Sequence, residues 1–146
     1  MQIKSTEELV SEIEERYSVK LSKLPRKKII FGSYIKGKCV VIVIPYSKIY
    51  AKGNGWVDFT KEQVSIFQRY QHSIAIFRLS NGNIYYVDLK KLLPLLSEKN
   101  MMINKKEGEH WKLDIWSDKI VPRKSNGELY VKPEDDSILH QFLDFA

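Results

Sequence analysis

The sequence predicts an α/β fold: a mixed central sheet flanked by helices, then a short C-terminal β extension and a tail. Three observations predict it. Segments with helical and strand periodicity follow one another as α-β-β-α-β-β-α over residues 1–97, an order that lets helices cover both faces of a sheet. The apolar runs 29–34 and 39–44 are continuous and rich in β-branched residues, as in strands buried on both faces. Beyond residue 97 the pattern changes to short strand-like runs and then an acidic linker with an apolar tip.

Taken in order, residues 6–17 predict a helix, with Leu9, Val10, Ile13 and Tyr17 on one face and Glu8, Glu12 and Glu15 on the other. Ser5 and Glu8 have the spacing of a capping box. The runs 29–34 and 39–44, separated by Ile35, Lys36, Gly37 and Lys38, predict a hairpin of buried strands. Residues 46–59, with Lys48, Lys52, Gly53, Asn54 and Gly55, read as a flexible basic loop. Thr60 and Gln63 then open a second helix, expected to reach residue 71. Strands at 73–79 and 84–88 flank the turn signal Asn81-Gly82, and a helical segment over 89–96 is interrupted by Pro94. Residues 98–109 read as polar loop, and 110–116, 120–121 and 129–131 as short strands around Asn126-Gly127. This gives three expected segments: a core over 1–97, a β-containing extension over 98–132, and a linker and tip over 133–146.

Charge is distributed unevenly. From Arg16 to Val57 the chain has ten Lys and Arg residues and no Asp or Glu, although the whole chain is only +6. A local positive patch is the footprint expected for nucleic acid, because Lys and Arg that neutralise phosphates release condensed counterions. An anionic membrane surface, an acidic protein, or plain solvation of a Lys-rich face account for the same charge. With 43% apolar and 12% aromatic residues the chain is not a disordered polymer. The single Cys39, between apolar neighbours, leaves no internal disulfide and no multi-cysteine zinc site, and predicts a buried small hydrophobe in a reducing compartment. No apolar run nears the roughly 20 residues of a membrane-spanning helix. The start is not that of a signal peptide, so a cytoplasmic protein with no membrane association is expected.

Familiar catalytic motifs are missing. His72, His110 and His140 have no second His or Cys at ligand spacing, so no metal site and no cofactor is expected. Gly53-Asn54-Gly55 is too short for a phosphate-binding loop, and no serine stands in a nucleophile elbow. Asp135 and Asp136 fall in the expected linker, where solvation explains them.

The run from Val40 to Lys48, the segment Gly55-Trp56-Val57-Asp58-Phe59-Thr60-Lys61-Glu62-Gln63, the strand 73–79 and the hairpin leading into Leu92-Leu93 carry a resemblance over residues 5–97. This region resembles the archaeal Holliday-junction resolvases and, more broadly, the restriction-endonuclease-like nuclease fold. The resemblance implies a duplex-binding surface and a homodimer. It also implies Mg²⁺ held by an Asp on one core strand and the Glu of a Glu-x-Lys on the next, since a hard cation needs carboxylate oxygens. Here Lys28 falls where the Asp belongs, Ile44 and Tyr46 occupy the Glu and Lys places, and the family's first-helix glutamate falls near Thr6, with Glu7 beside it. Only Gln63 survives, and it also fits as a capping residue. The expectation is therefore a nuclease fold with its cleavage site lost.

Phosphate contacts are expected from Lys20, Lys23, Arg26, Lys27, Lys28, Lys48 and Lys52, extended by Arg69 on the second helix. A nuclease with relocated acids is the alternative, drawing on Glu7, Asp58, Glu62 or Asp88, with Asp58 and Glu62 best placed beside the basic loop. At the tail, Leu139-His140-Gln141-Phe142-Leu143 has the Leu-x-x-Phe-Leu spacing with which some of these resolvases dock on the sliding clamp. Leu139, Phe142 and Leu143 are thus expected either to fill a partner's groove, that of a clamp or an active nuclease, or to fold back on the core. Trp111, Trp116 and Tyr130 offer a third possibility, a protein-binding extension, or simply core.

Overall fold

The computed structural model describes residues 3–144. Helix α1, Thr6–Tyr17, starts on the capping box: Glu8 N donates to Ser5 Oγ at 3.0 Å and Ser5 N donates to Glu8 Oε1 at 3.4 Å. After β1, Ser22–Lys23, the hairpin of β2, Ile30–Ile35, and β3, Lys38–Val43, closes over two residues only. Lys36 and Gly37 have φ of +47° and +83°. Two successive left-handed residues match the right-handed twist of the flanking strands, which is why the turn is tighter than the four residues expected.

Residues 46–59 are not the flexible loop predicted. They contain β4, Tyr46–Ser47, and most of β5, Gly55–Thr60. In β5 Val57 and Phe59 are buried while Trp56, Asp58 and Thr60 are partly exposed. That alternation is the signature of a half-buried strand and outweighs the Gly and Lys content before it. Gly55 is required where the strand begins, because a Cβ there would lie 2.8 Å from Leu79 Cδ2 and 3.3 Å from the Lys48 carbonyl.

Helix α2, Lys61–Arg69, has the predicted cap, with Gln63 N donating to Thr60 Oγ1 at 3.1 Å and Thr60 N to Gln63 Oε1 at 2.9 Å. It ends two residues earlier than expected, where Tyr70 turns extended into β6, His72–Leu79. Strand β7, Ile84–Asp88, runs into α3, Leu89–Leu92, and a 3₁₀ turn, Leu93–Leu95, that carries Pro94. Strand β8, Met102–Asn104, lies in the stretch read as loop, and β9, Gly108–Ile115, β10, Lys119–Pro122, and β11, Leu129–Tyr130, follow. Helix α4, Ser137–Leu143, closes the described chain.

The described strands form two sheets. The first is mixed: β3 and β4 lie parallel to successive parts of β6, and β7 lies antiparallel to it, with β2 and β1 beyond β3. The second is antiparallel around β9, which pairs with β5 along six positions from Gly55↔Ile115 to Thr60↔His110, and also with β8 and β10. Strand β5 thus leaves the first 97 residues to join the extension, and the expected boundary at residue 97 runs through a shared sheet.

Alternation along β3 sends Val40 and Ile42 to one face of the first sheet and Val41 and Val43 to the other, which explains the unbroken apolar run. The first face packs on Leu9, Val10 and Ile13 of α1 and on Leu139, Phe142 and Leu143 of α4. The second packs on Val64 and Phe67 of α2, Leu89 and Leu92 of α3, and Phe59, Leu113 and Ile115 of the second sheet. The molecule is an α/β fold with layers α1 and α4, first sheet, then α2, α3 and second sheet. Cys39 is half-buried rather than buried. No described helix is long and apolar enough to cross a membrane.

A candidate binding face on the second sheet

The outward residues of β5 and β9 are paired across the ladder, Trp56 with Asp114, Asp58 with Lys112 and Thr60 with His110. Opposed residues share a face, so these six stand together on the face opposite Phe59, Trp111 and Leu113, with His110 itself buried there. Trp56 is the centre of one group. Tyr50 stacks on it with ring centroids 6.1 Å apart and planes at 28°, Lys112 Nζ lies 4.3 Å from its ring centre, and the Arg123 guanidinium 5.8 Å. Arg123 is fixed by a bidentate pair with Asp114, Nε to Oδ2 and Nη2 to Oδ1 both at 3.0 Å, and Asn54 Nδ2 donates to the same carboxylate at 3.0 Å. Such fork-to-fork pairing holds the guanidinium in one orientation.

A cavity of about 530 Å³ adjoins this group, lined by Tyr46, Lys48, Tyr50, Trp56, Asp58 and Arg78 among others. Arg78 donates through Nη1 to the Lys4 carbonyl and through Nη2 to the Ile44 carbonyl, both at 3.2 Å, and lies 5.8 Å from the Tyr46 ring centre. Its buried Nε has no hydrogen-bond partner, and burial lowers its pKa from the ordinary value.

The second group lies where β8 turns into β9. Asp58, Glu107 and His110 each place a ligand-type atom within 4.8 Å of the other two. Lys112 Nζ sits 3.3 Å from Asp58 Oδ1, linking this group to Trp56. A hydrogen bond involving Asp58 pushes the Glu107 carboxyl above its ordinary pKa, with burial adding to the rise. His110 is 1% exposed, and its Nδ1 lies 2.9 Å from the Gly108 carbonyl.

The positions named from the sequence divide between several places. Lys28 is exposed ahead of β2, Ile44 is buried on the α1 and α4 side, and Tyr46 is exposed on β4 at the cavity. Gln63 uses its side chain to cap α2. Lys48 lines the aromatic cavity, and Lys52 is exposed in the loop between β4 and β5. Lys20 lines a different cavity, of about 980 Å³, with Arg16, Lys36 and His140. Lys23, Arg26 and Arg69 are exposed, while Lys27 pairs with Glu62 at 2.7 Å and thereby lowers the Glu62 pKa.

Of the acids weighed for a relocated site, Glu62 is held by Lys27, Asp88 caps α3 by accepting from Lys90 N at 3.0 Å, and Asp58 lies with Glu107. Leu139, Phe142 and Leu143 are not free to anchor a partner, because all three are buried against the first sheet. Trp111 is likewise core, its Nε1 donating to the Ser97 carbonyl at 2.8 Å, whereas Tyr130 is exposed. Tyr50, Trp56, Glu107, Lys112 and Arg123 lie outside the site residues the sequence suggests, and His110 has no ligand spacing in the sequence. The alternation in 55–60 and 108–115 would have placed several of them on one face. Comparison with family models, curated proteins and solved structures gives no match.

Proposed function

We propose that this chain binds nucleic acid through the outer face of the second sheet and the loop that feeds β5, and does not cleave it at positions 28, 44 and 46. The observation that carries this reading is the Tyr50–Trp56 stack with Lys112 and Arg123 at the indole and Lys48 in the adjoining cavity. The exposed Tyr50 ring, stacked on Trp56, takes a base face to face and Lys48 in the adjoining cavity takes a phosphate, while Lys112 and Arg123, held by Asp58 and Asp114, fix the indole. Every base has a π-face, so recognition on such a platform follows strand accessibility and salt more than sequence. A base within intact duplex is already stacked, which makes open or branched DNA the preferred form. Of the cations in the acid-free stretch from Arg16 to Val57, Lys48 lines the adjoining cavity and adds positive charge there.

Fluorescence anisotropy with a labelled four-way junction, a matched duplex and a single strand tests this. Binding should be strongest where unpaired bases are offered and weaken as salt rises. Absence of any binding at micromolar protein in low salt, or a Trp56→Ala chain that binds as well as the parent, overturns it. Cleavage by relocated acids is a second reading favoured by one observation, the approach of Asp58 to Glu107. Strand cleavage that disappears in Asp58→Ala would establish that reading.

A further inference from the structure

We propose that Asp58, Glu107 and His110 bind a single divalent transition-metal ion of the Zn²⁺ or Mn²⁺ class. This inference does not rest on the nucleic-acid reading. It begins with His110, which is almost fully buried yet has no hydrogen-bond partner for Nε2. The Gly108 carbonyl 2.9 Å from Nδ1 can only accept, so Nδ1 carries a proton. In the neutral ring Nε2 then holds the lone pair. A backbone carbonyl behind Nδ1 is the usual device that fixes the tautomer and aim of a ligating imidazole.

Nε2 faces Glu107 Oε2 at 3.5 Å, and that oxygen also has no hydrogen-bond partner. Two bonds of about 2.0–2.1 Å meeting at a tetrahedral angle span roughly 3.3–3.5 Å, so these two atoms already stand about one coordination edge apart. Asp58 is the third ligand, within 4.8 Å of both. Glu107 lies in the turn between β8 and β9 and retains solvent exposure, so small concerted rotations of the Asp58 and Glu107 side chains can close the remaining gap to Asp58.

The lone pairs of Nε2 and Glu107 Oε2 converge with no donor between them. A cation satisfies all three groups. Two carboxylates against the one Lys112 leave the cluster short of positive charge, and Lys112 can stay beside the Trp56 ring while one Asp58 oxygen turns to the metal. One nitrogen with two carboxylate oxygens suits a borderline ion better than Mg²⁺, which favours all-oxygen surroundings. Three protein ligands also leave at least one position open to solvent or to an incoming oxygen.

Calorimetric titration of the chelator-stripped full chain with ZnCl₂ and with MnCl₂, paired with thermal melts, tests the site. The expected result is one ion per chain for at least one metal, a raised melting temperature, and affinity lower by roughly tenfold or more in Asp58→Asn and in Glu107→Gln. Glu98→Gln, an exposed carboxylate outside the candidate face, should keep the parent affinity. Because His110 is buried and its variants risk unfolding, its role is read in the unaltered chain from the ¹⁵N shift of Nε2, which should move on metal addition while Nδ1 stays protonated. Failure to bind either ion at about 100 μM, parent-like affinity in both carboxamide variants, or an unmoved Nε2 resonance overturns the proposal.

Discussion

Replacing Phe142 with Ala asks whether α4 belongs to the core. Phe142 is buried, and its ring stacks on His72 with centroids 4.3 Å apart and planes at 24°. Core Phe→Ala changes cost about 3–5 kcal/mol through lost transfer energy and the cavity left behind. Phe142 is 8% exposed and sits on the outermost layer, where the surroundings can relax, so the lower end, about 3 kcal/mol, is expected. Seven residues form no stable helix alone, so α4 owes its order to this docking. For a chain of this length the entropy of unfolding is roughly 0.3 kcal/mol/K, which converts the loss to about 10 °C in melting temperature. Urea unfolding and calorimetry measure both quantities, with exposed Gln141→Ala as the control, expected within about 0.5 kcal/mol of the parent. If Phe142→Ala costs no more than Gln141→Ala, α4 is undocked in solution, and the Leu139, Phe142 and Leu143 spacing is available to a partner after all.

Four further outcomes are expected. Trp56→Ala should weaken nucleic-acid binding by about 1–3 kcal/mol, or roughly 5- to 150-fold, in the anisotropy assay, without lowering the melting temperature by more than a few degrees. Thr60→Ala, which removes the acceptor for Gln63 N, should cost about 1 kcal/mol in urea unfolding. Gly55→Ala should cost about 1–3 kcal/mol, since its Cβ presses on Leu79, Ser47 and the Lys48 carbonyl. Burial, and then Lys38, lower the His72 pKa in the fold against the opposing effect of Asp88. The unfolded ring titrates near about 6.5, so this contribution to stability is complete above that pH and is lost as pH falls through the lower folded value. The urea midpoint should therefore drop between neutral and mildly acid pH by more in the parent than in His72→Gln.

What could be read in the sequence was local. The α1 and α2 caps, the β2–β3 and β6–β7 hairpins and the Pro94 interruption each depend on residues a few positions apart, and each stands where expected. Strand β5 is hidden in the sequence because it opens on Gly55 and follows Gly53 and two lysines, a composition that outweighs a short alternating run in a one-dimensional reading. The candidate site was hidden for another reason. Thr60 meets His110 and Asp58 meets Lys112 only through strand pairing across about fifty residues, a relation no motif spacing encodes. In the sequence Asp58 stands out for its place beside the basic loop, whereas His110 has no second His or Cys at ligand spacing; its ligand-type neighbours come from an adjacent strand and a turn. The tail shows the limit in reverse: its apolar spacing fits docking on a partner and docking on itself equally, and only the shape of the first sheet decides between them.

The departure of β5 into the second sheet has a consequence for how the chain comes to be folded during synthesis. A ribosome that has delivered residues 1–97 has produced both strands of the first hairpin, β6 and its partner β7, yet β5 then has an open ladder and Val57 and Phe59 have no β9 to cover them. Strand β9 follows β5 by some fifty residues, so from the synthesis of β5 the nascent chain carries an unpaired edge beside an apolar core for several seconds at ordinary elongation rates of about 5–20 residues per second. That interval is when a chaperone, or another copy of the same strand, has its best access to the chain, and it is closed by Leu113 and Ile115 rather than by anything in the first 97 residues.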